Sequence, residues 1–175
     1  MASINYHIGT IVQKEPMLHA TYQKLTKELE HLKTVERNEI ARVIDEARAL
    51  GDLKENAEYH AAKEKHGHME ARIIELGDLL SRAHIIDPST LTHTRICFGS
   101  TVELVDQDSD SIIKYTIVGT QESSPAHGLI SLFSPLAKAL MGKEEGDEIE
   151  VSLPSGQKCY EITTVCYEEI CIKDK

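Results

Sequence analysis

The chain has 175 residues, of which 41% are hydrophobic and 5% aromatic, with no tryptophan. Twenty-nine acidic residues against 19 basic residues give a formal charge of -10, which argues against a broad basic nucleic-acid surface or a base-stacking platform. The sequence contains neither a signal-peptide pattern nor a run of roughly 18 apolar residues, so we expect a cytoplasmic protein that does not contact membranes. The length fits one ordinary domain or two small ones.

Residues 1–15 resemble a loose extension, and the segment from 17 to 87 that follows contains no proline. Absence of the strongest helix breaker predicts helix throughout. Apolar residues recur in this segment at alternating spacings of four and three, which is typical of a coiled-coil seam. The two stripes are Leu18, Tyr22, Leu25, Leu29 and Leu32, and Met69, Ile73, Leu76, Leu80 and Ala83. Their pairing predicts an antiparallel hairpin that turns near Gly51.

The predicted turn is very short. Gly51 suits the left-handed conformation after a helix end, and Asp52 is a good N-cap for a second helix beginning at Leu53. Small or mixed residues near this tip predict close packing and a slender rod. They are Ile40, Val43 and Ala47 on the first arm, facing Ala57 and Ala61 on the second.

A second domain is predicted from residue 88 onward, where glycines, prolines and alternating apolar residues become frequent. Strands are expected around 102–104, 113–117, 129–133 and 149–153, followed by a return strand after a hairpin turn at 154–156. Ser134 as N-cap and Pro135 at the first helical position predict a short helix that continues through Leu136 to Met141. The fold class is therefore α+β with two domains, bounded at 16–87 and 88–175.

Cysteines and histidines do not form a metal-binding pattern. Cys97, Cys159, Cys166 and Cys171 lack the paired spacing of a zinc site, so we interpret them as reduced and mostly buried. The nine histidines are scattered and are expected to lie on solvated helix surfaces.

The densest group of candidate functional residues lies at the tip of the hairpin. Asp52 and Glu55, three residues apart across a helix start, could present hard oxygen ligands to Mg²⁺ on one face. Two carboxylates cannot fill an octahedral shell, so the remaining ligands would have to come from a partner. The alternative is a capping box, in which both side chains satisfy backbone N–H groups. Arg48 and Lys63 near the tip could hold RNA phosphate, or could simply be solvated.

Two strings resemble the GreA/GreB family of bacterial transcript-cleavage elongation factors. The first runs from Gly51 to Glu64 and reads GDLKENAEYHAAKE; the second runs from Ser134 to Lys143 and reads SPLAKALMGK. The resemblance covers residues 16–172. It implies an antiparallel coiled coil followed by a domain of FKBP-like fold, in agreement with the two halves above.

The resemblance also implies a function without independent catalysis. Family members bind bacterial RNA polymerase as monomers, dock at the rim of its secondary channel, and extend the coiled coil to the active centre. Asp52 and Glu55 match the family's acidic pair, which helps to hold an Mg²⁺ ion and orient water for hydrolysis of the backtracked RNA 3′ end. Arg48 and Lys63 match basic residues near that RNA end, although family members frequently carry arginine at the position of Lys63. Ser134, Pro135 and Leu136 match the polymerase-docking segment.

Three alternatives remain open at this point. A peptidyl-prolyl isomerase is poorly supported, because few aromatic residues follow position 88 to line a proline pocket. A secondary-channel protein that inhibits polymerase without cleavage is disfavoured by the presence of Asp52 and Glu55. Within the family, the GreA branch is favoured over GreB by the excess of acidic residues and by the residues at Leu53-Lys54 and His60–Ala62.

Overall fold

The computed structural model describes residues 14–49, 51, 53, 55–154 and 156–170. Within these residues a long helical hairpin is followed by a small domain built on a five-stranded sheet. The expected α+β arrangement of two domains is therefore confirmed. Residues 1–13, together with Leu50, Asp52, Lys54, Ser155 and the last five residues, lie outside the described part.

The hairpin has two arms. The first comprises α1 (His19–His31), a π-helical turn (Leu32–Glu36) and α2 (Arg37–Ala49), and the second is α3 (Ala57–Arg82). The seam between them is apolar and buried, as the alternating spacing predicts. Its buried residues are Leu18, Leu25, Leu32, Ile40, Ile44 and Ala47 from the first arm, and Ala62, Met69, Ile73, Leu76 and Leu79 from the second.

The π-helical turn shifts the seam of the first arm by one residue. Continued spacings of four and three from Leu32 lead to position 43, but Val43 is 38% exposed and Ile44 is buried instead. One extra residue in a π turn moves the following helix by one position in register. The expectation that Val43 packs in the seam is therefore wrong, and Ala57 and Ala61 are likewise exposed. Ala62 is the alanine of α3 that is buried near the tip.

Ion pairs connect the two arms on both sides of the π turn. Arg37 donates to both carboxylate oxygens of Glu70 at 2.8 and 2.6 Å, and Arg72 donates to Glu28 at 2.8 Å. The hydrogen bonds from Arg37 lower the pKa of Glu70 below its ordinary value. Exposed pairs of this kind contribute little because solvent screens them, so they support the pairing of the arms while the apolar seam supplies most of the stability.

A short parallel ribbon closes the base of the hairpin. Strand β1 (Glu15–Met17) enters α1, strand β2 (Ala83–Ile85) follows α3, and Glu15 lies opposite Ala83. Glu15 therefore belongs to the folded base and not to the loose extension assigned to residues 1–15. Met17 is fully buried, which anchors the entry to the coiled coil.

The C-terminal domain is a five-stranded sheet in the order β5-β4-β3-β7-β6. Its strands are β3 (Ser100–Asp106), β4 (Ile112–Val118), β5 (Leu129–Ser131), β6 (Glu148–Leu153) and β7 (Gly156–Tyr167), and only β4 and β5 pair in parallel. Helix α4 (Pro135–Leu140) packs on the sheet through Leu136, Ala137 and Leu140. The helix begins at Pro135 as predicted and ends one residue earlier than predicted, and β5 ends at Ser131 instead of residue 133.

The cysteines described by the structure are free thiols. Cys97, Cys159 and Cys166 are half-buried, so the expectation of mostly buried thiols is too strong, and Cys171 lies outside the described residues. Burial raises the pKa of Cys166 above its ordinary value. In the described part of the chain no group of three or more His, Cys, Asp or Glu side chains could hold a metal ion. None of its helices is long and apolar enough to cross a membrane.

Candidate functional site

Asn56 organises the tip of the coiled coil. It is the N-cap of α3, and its side-chain oxygen accepts the backbone N–H of Tyr59 at 3.0 Å. The amide nitrogen of the same side chain donates to the carbonyl of Ala47, in the last turn of α2, at 2.8 Å. One side chain thus satisfies a free group at each of the two helix ends. Asn56 thus links the end of α2 to the start of α3.

The position of this cap corrects the predicted turn. Gly51 has a φ of +80° and its N–H donates to the carbonyl of Arg48, as expected for a residue after a helix end. The second helix, however, begins at Ala57 and not at Leu53. Asn56 therefore occupies the N-cap of α3 that the sequence assigned to Asp52. Asp52 itself lies outside the described residues, so the capping-box interpretation of Asp52 and Glu55 stays a prediction. Both aspartate and asparagine are good N-caps, so the sequence offered two candidates.

Glu55 lies in the turn immediately before the cap and is exposed. Within the described residues its carboxylate has no hydrogen bond or ion pair. The oxygens of Glu55 are therefore free for a ligand that approaches the tip from solvent. Asp52, its predicted partner, lies outside the described residues.

Arg48 and Tyr59 come together on the flank of the tip. The guanidinium carbon of Arg48 lies 6.0 Å from the centre of the Tyr59 ring, within the range of a cation–π contact. Its Nη1 also lies 3.5 Å from Asp45, and 55% of the Arg48 side chain is exposed. Lys63, one helical turn beyond Tyr59 on α3, is exposed. Both predicted basic residues are thus accessible near the tip.

The predicted docking segment lies on the other domain. Ser134 is the N-cap of α4, and its hydroxyl accepts the N–H of Ala137 at 3.2 Å. Pro135 is exposed, whereas Leu136 is 7% exposed and belongs to the domain core. Among the three, Pro135 is exposed, Ser134 is half-buried and Leu136 is buried with a structural role.

Two residues of the tip were not identified from the sequence. Asn56 has a recognisable signal, because Asn followed by Ala and by Glu58 in the first turn favours a helix start. Tyr59 has none, since an isolated aromatic residue on an exposed helix face does not indicate which arginine it will contact. The structure brings Glu55, Asn56, Arg48 and Tyr59 together at the tip and leaves Ser134–Leu136 on the sheet domain.

Comparison with known proteins assigns both halves to one family. Residues 15–85 match the family model "Transcription elongation factor, N-terminal", and residues 91–167 match "Transcription elongation factor, GreA/GreB, C-term". Transcription elongation factor GreA of Sulfurovum sp. is 65% identical over 161 residues, covering 92% of this chain and 99% of the relative. The protein of the same name from Nautilia profundicola is 62% identical, with coverages of 91% and 99%.

Solved structures give a weaker match. The GreA factor homolog 1 protein of Thermus thermophilus is 28% identical, covers 88% of this chain and 99% of its own, and superimposes with a TM-score of 0.42. The assignment therefore depends on the sequence matches, which extend through the coiled coil and the sheet domain. The chain belongs to the GreA/GreB family of transcription elongation factors.

Proposed function

We propose that this protein binds bacterial RNA polymerase and stimulates the polymerase's own hydrolysis of backtracked RNA. The chain itself is not an enzyme in this proposal, because the catalytic metal centre and the RNA belong to the polymerase complex. The sheet domain docks at the rim of the secondary channel, and the coiled coil extends through it towards the active centre. Exposure of the free Glu55 carboxylate at the far end of a slender rod is the observation that most directly supports this function.

The tip carboxylates have the chemistry that this function requires. Mg²⁺ prefers carboxylate oxygens and commonly takes only one or two from a given protein. Glu55 is exposed, has no partner within the described residues, and precedes the cap of α3. Asp52 and Glu55 would supplement ligands of the polymerase in holding Mg²⁺, which would supply activation of water for the hydrolysis. Neither residue would retain the ion alone.

Arg48 is suited to contact the phosphates of the displaced RNA end. A guanidinium presents a planar fork that can donate two hydrogen bonds to one phosphate, and its contact with Tyr59 limits the number of orientations it samples. Lys63 offers a point charge without that fork. We assign both residues to RNA binding, with Arg48 providing the more directional contact.

The docking contact is assigned to the start of α4. Ser134 caps the helix and Leu136 inserts into the core, so together they hold Pro135 at the surface. In this proposal Pro135 contacts the polymerase and its two neighbours fix its position.

Two isosteric substitutions test the proposed function. Asp52→Asn and Glu55→Gln each remove a charge and keep the side-chain shape. At limiting Mg²⁺, each is expected to reduce the rate of cleavage in a backtracked elongation complex by about 100-fold, by analogy with other preorganised electrostatic groups. Melting temperature and polymerase affinity should stay near those of the unaltered protein, because Glu55 has no partner among the described residues and asparagine caps a helix as well as aspartate does. Added Mg²⁺ should partly restore the rate.

Asn56→Asp provides the matched control. Aspartate can still accept the N–H of Tyr59 and cap α3, but it cannot donate to the carbonyl of Ala47. This variant should lower the melting temperature and retain more cleavage activity than Glu55→Gln. Equal cleavage by Asp52→Asn, Glu55→Gln and the unaltered protein at limiting Mg²⁺ would contradict the metal-sharing role. Binding to polymerase with no cleavage by the unaltered protein would instead favour the inhibitory alternative.

A further inference from the structure

The first helix of the coiled coil receives its cap from the other domain. Leu18 occupies the N-cap of α1 and offers no side-chain hydrogen bond. Its backbone N–H donates to Oε1 of Glu122 at 2.8 Å, across 104 residues of sequence. Glu122 follows β4 and is only 3% exposed. A carboxylate at a helix N-terminus is favourable because the unsatisfied N–H groups there carry partial positive charge.

The second oxygen of this carboxylate indicates that Glu122 serves hydrogen bonding and not packing. Oε2 of Glu122 is buried and has no hydrogen-bond partner among the described residues. Burial of a half-satisfied carboxylate is unfavourable, whereas an apolar side chain could fill the same space without that cost. What an apolar side chain could not supply is the directional bond to α1. Among the described residues, the one hydrogen bond of the Glu122 side chain joins the two domains.

Gly119 allows the two domains to approach closely at the same point. A Cβ atom at this position would lie 2.3 Å from the carbonyl oxygen of Pro16 and 2.4 Å from Oε2 of Glu122. Real Cβ atoms do not approach other heavy atoms this closely, so no side chain fits without displacing the segment that enters α1. We call Pro16, Leu18, Gly119 and Glu122 the capping joint.

We propose that Glu122 is a positioning residue that sets the direction of the coiled coil relative to the sheet domain. This inference rests on the proposed function, in which one domain docks and the other must reach the active centre. The helical residues of the first arm span about 45 Å at 1.5 Å per residue. A rotation of about 10° at the capping joint would therefore displace the tip by about 8 Å. Displacements of about 1 Å already reduce rates strongly when catalytic groups must be aligned.

The first measurement separates positioning from docking. For Glu122→Ala we expect the maximal cleavage rate at saturating protein to fall by at least about tenfold, while the half-saturating concentration changes less than about twofold. Glu122→Gln keeps an oxygen that can accept the Leu18 N–H, so it should restore most of the rate. Gly119→Ala inserts a methyl group into the capping joint from a different residue and should reproduce the loss.

The second measurement reports the joint without polymerase. In residual dipolar couplings, the coiled coil and the sheet domain of the unaltered protein and of Glu122→Gln should share one alignment tensor. In Glu122→Ala and Gly119→Ala the two tensors should differ, and the amide of Leu18 should exchange faster with solvent in Glu122→Ala. Circular dichroism and the chemical shifts of each domain would verify that both domains remain folded.

Several outcomes would overturn the inference. A shared tensor and an unchanged maximal rate in Glu122→Ala would show that the joint does not position the tip. Unfolding of the sheet domain in both Glu122→Ala and Gly119→Ala would assign these residues to stability alone. If Glu122→Gln had the same low cleavage rate as Glu122→Ala, the hydrogen bond to Leu18 would be excluded as the cause of the loss. If the unaltered protein stimulates no cleavage, the proposed function fails, and the dipolar couplings still decide whether Glu122 sets the domain orientation.

Discussion

Asn56 and Glu122 illustrate how much of this structure depends on single polar side chains at helix ends. Asn56 joins the last turn of α2 to the first turn of α3, and Glu122 caps α1 from the other domain. Such groups stabilise because helix ends leave N–H and carbonyl groups without intrahelical partners. In this protein those free groups are also the places where one element is oriented against another.

Asp106 at the end of β3 gives a pH-dependent prediction. Its carboxylate accepts the backbone N–H of Asp108 at 2.9 Å and the ammonium of Lys158 at 3.1 Å. These contacts, the backbone N–H foremost, lower the pKa of Asp106 below its ordinary value. The stability they confer is present above the ordinary pKa of about 3.9 and is lost as pH falls through the lowered value. Asp106→Asn should therefore melt at a lower temperature at pH 7, with the difference shrinking towards pH 2.5.

The control for this experiment is Asp110→Asn. Asp110 is exposed in the same turn and has a φ of +53°, a conformation that asparagine tolerates well. Its substitution should change the melting temperature little across the same pH range. A constant difference between Asp106→Asn and the unaltered protein down to pH 2.5 would contradict the electrostatic role.

Individual residues were predictable where one chemical signal had no competitor. Gly51 with its positive φ and Ser134 followed by Pro135 are such cases, and both are confirmed. The cap of α3 was misassigned because Asp52 and Asn56 are equivalent candidates by type, and only tertiary contact with Ala47 distinguishes them. The role of Glu122 has no local signal at all, since its partner lies 104 residues away.

At the scale of the element, the spacing of apolar residues does not reveal the π turn. Val43 and Ile44 are adjacent apolar residues, so a seam through either one is compatible with the spacing. The structure buries Ile44 because the turn from Leu32 to Glu36 contains one extra residue. The existence of the arms was predictable from their long apolar periodicity, whereas a shift of one residue within them was not.

Deletion of Val35 tests this explanation. Val35 lies in the π turn and is 49% exposed, so its removal should convert the turn to ordinary α-helix and leave the flanking seam positions in register. We expect the free energy of unfolding to change by no more than about 1 kcal/mol. Urea denaturation followed by circular dichroism would measure it.

Deletion of Ala71 is the matched control. Ala71 is an exposed residue of α3, an arm described without a π turn. Its removal would rotate one side of the seam by roughly 100° relative to the other and should cost about 3 kcal/mol or more, as large losses of core packing do. Equal destabilisation by the two deletions would refute the view that the π turn holds a spare residue.

For the whole molecule, docking and cleavage should be separable by mutation. Pro135→Glu changes an exposed residue of the proposed docking segment and places an acidic group at the first turn of α4, where it suits the helix. We expect about a tenfold weaker affinity for polymerase and an unchanged maximal cleavage rate at saturation. Competition binding and saturation kinetics would measure the two quantities. This pattern is the reverse of that expected for Glu122→Ala.

Ile112→Glu serves as the control for docking. Ile112 begins β4 and is 71% exposed, so the substitution adds the same charge to the same domain outside the docking segment. Leu136 is unsuitable, because a charge in its buried position would disrupt the core. Equal affinity for Pro135→Glu and Ile112→Glu would argue against docking through Pro135.

The two-domain organisation was predictable because the change from long helical periodicity to short alternating runs occurs near Pro88. The orientation of the domains was not predictable in the same way. It depends on the capping joint, where a buried carboxylate and a glycine without room for a methyl group meet the base of α1. The periodicity of apolar residues shows which face of a helix or strand is buried. Contacts between loops that are distant in sequence produce no periodic pattern.

The π turn also limits how the reach of this rod can change over evolutionary time. An insertion in one arm must preserve the facing residues, so lengths compatible with the seam come in steps of about seven residues, or about 10 Å, added to both arms. A single inserted residue is tolerated only where a π turn can absorb it, and there it adds little length. The distance from base to tip therefore changes in steps and not gradually, because the seam must stay in register.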